Sequence, residues 1–137
     1  MKKFVSVYYN FVGLNIEEVS SYIDIHENGY WGAESVKVQA DVYGLVKGRH
    51  TMPVEEYVFD EIGDMFNFFN FFNLEVKALS SIKKTSDLLV LYVTGLTAAT
   101  VAVLNTANRL GYKDVVLKHY NKDNGLYECQ WYIRGGN

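Results

Sequence analysis

Apolar and polar positions alternate with period two from Phe4 to Val12. Val5, Val7, Tyr9 and Phe11 share one face, and Ser6, Tyr8 and Asn10 share the other. Branched and aromatic residues at that period predict a strand, which Gly13 ends. Asn15 then offers an N-cap with Glu17 and Glu18 in a first turn, where the helix dipole favours acidic side chains. The expectation over Ile16–Ile23 is a short helix. His26 to Gly32 reads as a loop.

Ser35 to Val46 is the cleanest strand pattern. Val36, Val38, Ala40 and Val42 point one way and Lys37, Gln39 and Asp41 the other, which predicts one buried and one wet face. Gly44 and Gly48 punctuate its end. After Thr51 and Pro53, the residues Val54, Val58, Ile62, Met65, Phe69 and Phe72 recur every three or four positions. This predicts a long helix ending at Asn73. Leu74 to Ile82 alternates again and predicts a strand. KKTSD is a turn, and the apolar run LLVLYV (Leu88–Val93) predicts a central strand. Thr97 is the expected N-cap of a helix over Ala98–Leu110, stopped by Gly111. Val115–Tyr120 and Tyr127–Arg134 form the arms of a hairpin around NKDNG, and the terminal GGN reads as frayed.

From residue 35 to 120 the expected order is β-α-β-β-α-β, the ferredoxin-like split βαβ arrangement. Both helices would then lie on one face of an antiparallel or mixed sheet. The N-terminal strand and a C-terminal hairpin strand would extend it. No linker, repeat or charge block divides the 137 residues, so the expectation is a single globular domain over 1–137.

Composition narrows the functional classes. Net charge is −3, with no basic excess of the kind a nucleic-acid binder carries. One cysteine, Cys129, excludes a disulfide within the chain and any multi-cysteine metal site; a reducing, cytoplasmic setting fits. The N-terminal MKKFVSVYYNFVG is broken by polar residues and lacks a small-residue cleavage site, so it reads as a strand, not a signal peptide. No run reaches the ~18 apolar residues of a membrane helix. Lysine far outnumbers arginine, a usage associated with AT-rich genomes and their phages.

Candidate chemistry is sparse. His26, His50 and His119 show no metal-ligand spacing, so no metal or cofactor is expected. The last hairpin places the strands of Cys129 and His119 side by side, as a nucleophile and base would need. Cys129, however, alternates with Trp131 and Ile133, where a thiolate is disfavoured. Lys113, Lys118, Lys122 and Arg134, interleaved with Tyr112, Tyr120, Tyr127, Trp131 and Tyr132, resemble a stacking surface for single strands. They lack a nucleic-acid motif, and nucleic acid ranks below a protein partner. In YVTGLTAAT, a strand ends in Thr94-Gly95 and a helix starts at Thr97. A small anion or nucleotide could bind its free N–H groups, although the bland alternative is a tight turn.

The run FNFFNFF carries the main functional expectation. The helical stripe assigns Phe69 and Phe72 to core. Phe66, Phe68 and Phe71 are left over, with Tyr30 and Trp31 in the preceding loop. Asp60, Glu61 and Asp64 would give the same helix a solvated acidic face to which a basic groove could dock. A helix apolar all round must be covered, by the chain's own N-terminal part or by another molecule. The expectation is a small, non-enzymatic, cytoplasmic module that binds a protein or itself through this acidic, aromatic-rich helix. Stoichiometric inhibitors of the immunity or phage counter-defence type share this profile, which extends to viral and mobile-element proteins. The alternative is a small-ligand module or enzyme using Thr94, Gly95 and Thr97.

Overall fold

The computed structural model describes residues 2–10, 13–19, 36–48, 52–60 and 68–132. Among these, the chain is α+β, with a mixed sheet and two helices. The elements are β1 (Lys2–Asn10), β2 (Gly13–Val19), β3 (Val36–Val46), β4 (Tyr57–Phe59), α1 (Phe68–Ser81), β5 (Leu88–Val93), α2 (Thr97–Leu110), β6 (Asp114–Asn121) and β7 (Leu126–Tyr132). The sheet runs β2-β1-β3-β5-β6-β7, with β4 attached to β3.

The ferredoxin-like order is not the one observed. That order makes neighbouring strands antiparallel, whereas β3, β5 and β6 are neighbours and mutually parallel. Each parallel step is made by a crossover through one helix. Two successive crossovers in one direction place both helices on the same face. α1 and α2 indeed pack against each other. Only the outer pairs β1–β2, β1–β3 and β6–β7 are antiparallel.

Three expected elements give way. The helix expected over Ile16–Ile23 is a strand over Gly13–Val19, because that segment pairs along its whole length with β1, Asn10 opposite Gly13 and Phe4 opposite Val19. The long helix expected from Pro53 does not form over residues 52–60. Tyr57–Phe59 instead pairs with β3, Gly44 donating its N–H to Glu56 O at 2.9 Å and Lys47 donating to Phe59 O at 3.0 Å. The strand expected over Leu74–Ile82 is the second half of α1 and the residue after it. Leu74, Ala78 and Ile82 are buried at spacing four, and the alternation came from Val76, which is exposed.

The sheet separates two apolar clusters. On the helix side, Tyr43, Leu45, Leu89, Leu91, Val93, Val115 and Leu117 meet Leu74, Ala78, Ala99, Ala102, Val103 and Ala107. On the other side, Ala40, Val42, Leu88, Val90, Tyr92 and Val116 pack with Met52, and Val54, Tyr57, Tyr127, Cys129 and Trp131 close over them. The segment preceding β4 thus covers the face that the helices do not. The sheet also curls, so that β2 and β7, at opposite ends of the strand order, approach each other.

Gly44 is not the end of its strand but the seat of this cover. A Cβ at position 44 would stand 2.6 Å from the Tyr57 ring and 2.9 Å from Val54. At Gly111 the requirement is conformational. Its φ of 82° ends α2 in the left-handed region, and Gly111 and Tyr112 donate their N–H groups to Asn108 O and Ala107 O.

Asp41, expected on a wet face, is fully buried. The polar parity of β3 is the helix-facing parity, continued by Tyr43 and Leu45. The carboxylate is tolerated there because it is saturated. It accepts from Thr85 N at 2.7 Å, from the Thr85 hydroxyl, from Ser86 N at 3.2 Å, from Ser86 Oγ at 3.1 Å and from Tyr112 Oη at 2.6 Å. One side chain therefore anchors the turn before β5 and the residue that leads into β6.

Candidate functional site: the outer face of α1

α1 spans Phe68–Ser81 and carries two apolar stripes. The inner one is Leu74 and Ala78, continued by Ile82. The outer one is Phe72, Val76 and Leu79, at spacings four and three, and these residues are 63%, 51% and 45% exposed. Phe72 and Leu74 are two positions apart, which on a helix means nearly opposite faces. Charge on this helix is low. Glu75 and Lys77 are its only ionisable side chains, and Asn105 of α2 donates to Glu75 Oε2 at 3.1 Å. One turn before each member of that pair stand Phe71 and Val101, both exposed, which widen the apolar surface toward α2.

The expected partner-binding residues are only partly brought together. Phe71 is exposed. Phe68 opens α1, and Asp60 is exposed at the end of β4, whose residues approach α1. Tyr30, Trp31, Glu61, Asp64 and Phe66 lie outside the described residues. The helical stripe expected Phe72 in the core; it is instead 63% exposed, the highest value among the large apolar residues of α1 whose side chains are described. Its assignment depended on a helix starting at Pro53, and the true helix starts later with a different inner stripe. Among the described residues, Glu55, Glu56 and Asp60 flank β4 and lie outside any helix. Val76 and Leu79 were missed. The signal is the heptad-like spacing of Phe72, Val76 and Leu79, masked by the strand-like alternation over residues 74–82.

The strand-to-helix turn Thr94-Gly95-Leu96 opens onto a cleft of about 540 Å³ at the C-terminal ends of β5 and β6. Thr94, Gly95, His119, Asn121, Lys122 and Glu128 are among its lining residues. Thr97 is exposed but does not line it, and it is not the N-cap. Leu96 occupies that place without a side-chain cap, and both the N–H and the hydroxyl of Thr100 donate to Leu96 O. Thr94 Oγ1 is buried and has no hydrogen-bond partner.

The remaining candidates separate. Cys129 pairs with Lys118 across the hairpin and His119 with Glu128, so thiol and imidazole fall on alternate parities and point to opposite faces. His119 Nε2 instead meets Gln130 Oε1 at 2.7 Å. The basic and aromatic surface is dispersed, because Tyr112 and Lys118 are buried and the Lys118 ammonium lies 5.9 Å from the Tyr92 ring centre. Among the described residues, no group of three His, Cys, Asp or Glu side chains could hold a metal ion, and no helix is long and apolar enough to cross a membrane. No protein-family model, curated protein or solved structure matches the chain.

Proposed function

We propose that this chain is a non-enzymatic protein-binding module, working in the cytoplasm, that engages its partner through the outer face of α1. The observation that carries this reading is the exposed stripe Phe72, Val76 and Leu79 on a helix whose opposite stripe already supplies the core. A helix needs one apolar stripe to fold onto a sheet; a second one is surplus to folding and favours association. Its near-absence of charge matches the interior of an interface, from which charged residues are depleted. Small size and an acidic balance suit a stoichiometric inhibitor of the immunity or phage counter-defence type, which acts by occupying a surface.

The test compares the wild-type chain with Phe72→Ser/Leu79→Ser. Light scattering reports self-association, and capture from the native host followed by reconstitution with the captured protein reports a hetero-complex. The expected result is a defined complex formed by the wild type and lost in the variant, with circular dichroism unchanged. A complex of equal affinity in the variant, or no complex in either assay, overturns the proposal.

A second reading is a small-anion module at the Thr94–Gly95 turn. It is favoured by the position of the 540 Å³ cleft at the C-terminal ends of parallel strands, beside the start of α2. Inorganic phosphate and a nucleotide panel in a thermal-shift assay test it, and a flat panel that includes Thr94→Val as control rejects it.

A further inference from the structure

The larger cavity lies at the other end of the sheet, beneath the N-terminal ends of β5 and β6. Its volume is about 630 Å³, within the range of small-molecule sites. Four separate segments wall it: Gln39 of β3, Lys84–Leu88 before and at the start of β5, Lys113–Asp114 at the start of β6, and Trp131 of β7.

These walls are fixed by hydrogen bonds independent of any ligand. The Asp41 carboxylate holds Thr85 and Ser86 on one side and Tyr112, next to Lys113, on the other. Lys113 and Asp114 both donate their backbone N–H groups to Asp87 O, at 2.9 and 3.3 Å. The two lysine-bearing segments are thus preorganised by the fold.

The lining has two chemical halves. Trp131 and Leu88 form an apolar end with an indole ring. At the other end, the ammonium groups of Lys84 and Lys113 converge on the two oxygens of Asp87, at 3.2 and 3.6 Å. The Lys84 ammonium also lies 5.6 Å from the Tyr112 ring centre, which restrains it further. Two ammonium groups carry six N–H donors between them, and one carboxylate cannot use them all. The Thr85 and Ser86 hydroxyls already serve Asp41, so the lysines are the groups left to meet an anion.

We infer that this cavity binds a ligand with a planar heterocycle and one phosphate, the chemistry of a nucleoside monophosphate. The ring stacks on Trp131, as bases do on aromatic side chains, while Gln39 lines the cavity from its separate wall on β3. The phosphate takes the surplus donors of Lys84 and Lys113. Asp114 adds a second carboxylate to the lining besides Asp87, so a longer polyphosphate gains nothing. This site is independent of the α1 face.

Isothermal titration calorimetry of the intact protein with adenosine monophosphate tests the inference, with adenosine and inorganic phosphate as its halves and adenosine triphosphate as the charge control. The expected result is one site per chain for the monophosphate, at least tenfold weaker binding of either half, and no gain for the triphosphate. Lys84→Met/Lys113→Met, confirmed folded by circular dichroism, is expected to lose at least tenfold in affinity. Three results overturn the inference: absence of saturable monophosphate binding, phosphate alone binding as tightly as the nucleotide, or affinity unchanged in the double variant.

Discussion

The phenol of Tyr112 donates to Asp41 Oδ2 at 2.6 Å, joining residues 71 positions apart in the chain. Both side chains are fully buried. A hydrogen bond to a charged group is worth about 1.5–3 kcal/mol. Tyr112→Phe is therefore expected to lower unfolding free energy by about that amount in urea titration. Asp41→Ala is expected to cost more, because it strands the Thr85, Ser86 and Tyr112 donors together. A Tyr112→Phe variant as stable as the wild type would show that this bond does not hold the fold together.

Asp41 also gives the fold an acid limit. Burial would push its carboxyl up, but the bonds from Thr85, Tyr112 and Ser86 reverse this and hold it below the usual carboxylate value. The unfolded chain then takes up the proton more readily than the folded one. The carboxylate contributes its stability above about pH 4, and that contribution is lost as pH falls through the depressed folded value. Stability measured from pH 6 downward is expected to drop below about pH 4, with a shallower drop in Asp41→Asn. Parallel curves for the two proteins would contradict this.

Phe72 and Leu74 make a paired test of the two stripes of α1. Leu74→Ala empties a core position and is expected to cost about 2–5 kcal/mol. Phe72→Ala is expected to stay within about 0.5 kcal/mol, as at other exposed positions. Equal losses at both sites would show that Phe72 is covered within the chain and would withdraw the surface from which the proposed function is argued.

Gly44 and Tyr57 form a third pair. Gly44→Ala is expected to destabilise by about 1–3 kcal/mol through overpacking against the Tyr57 ring. Adding Tyr57→Ala is expected to cost less than the sum of the single changes, since the clash then disappears. Strict additivity in thermal or urea unfolding would rule out the contact as the cause.

Local pattern was enough for some of this fold. β1, β3, α2 and the last hairpin are legible because one period dominates each, β5 because its apolar run is short and continuous, and Gly111 and the NKDNG loop mark clear stops. Where two periods fit the same residues, long-range pairing decided the outcome. Leu74, Val76 and Ala78 alternate like a strand, yet Leu74, Ala78 and Ile82 also fit a helix, and burial against β5 and α2 chose the latter. Tyr57–Phe59 is a strand only because β3 offers it an edge. The same ambiguity governed the site. The surplus of aromatics in FNFFNFF set Phe71 off the single stripe without deciding its cover, and the exposure of Phe72, Val76 and Leu79 needed the true start of α1. The burial of Asp41 had no local signal at all, since its donors come from residues 85, 86 and 112.

The approach of β2 to β7 sets the order in which this protein can be completed on the ribosome. β2 cannot meet β7 until nearly all of the described chain has been made. Through most of synthesis the face of the sheet away from the helices has no β7 beside it, and Tyr127, Cys129 and Trp131 reach it last. A nascent chain stalled before Leu126 would carry a finished helical layer and an unfinished opposite face, the state in which binding by a chaperone is to be expected.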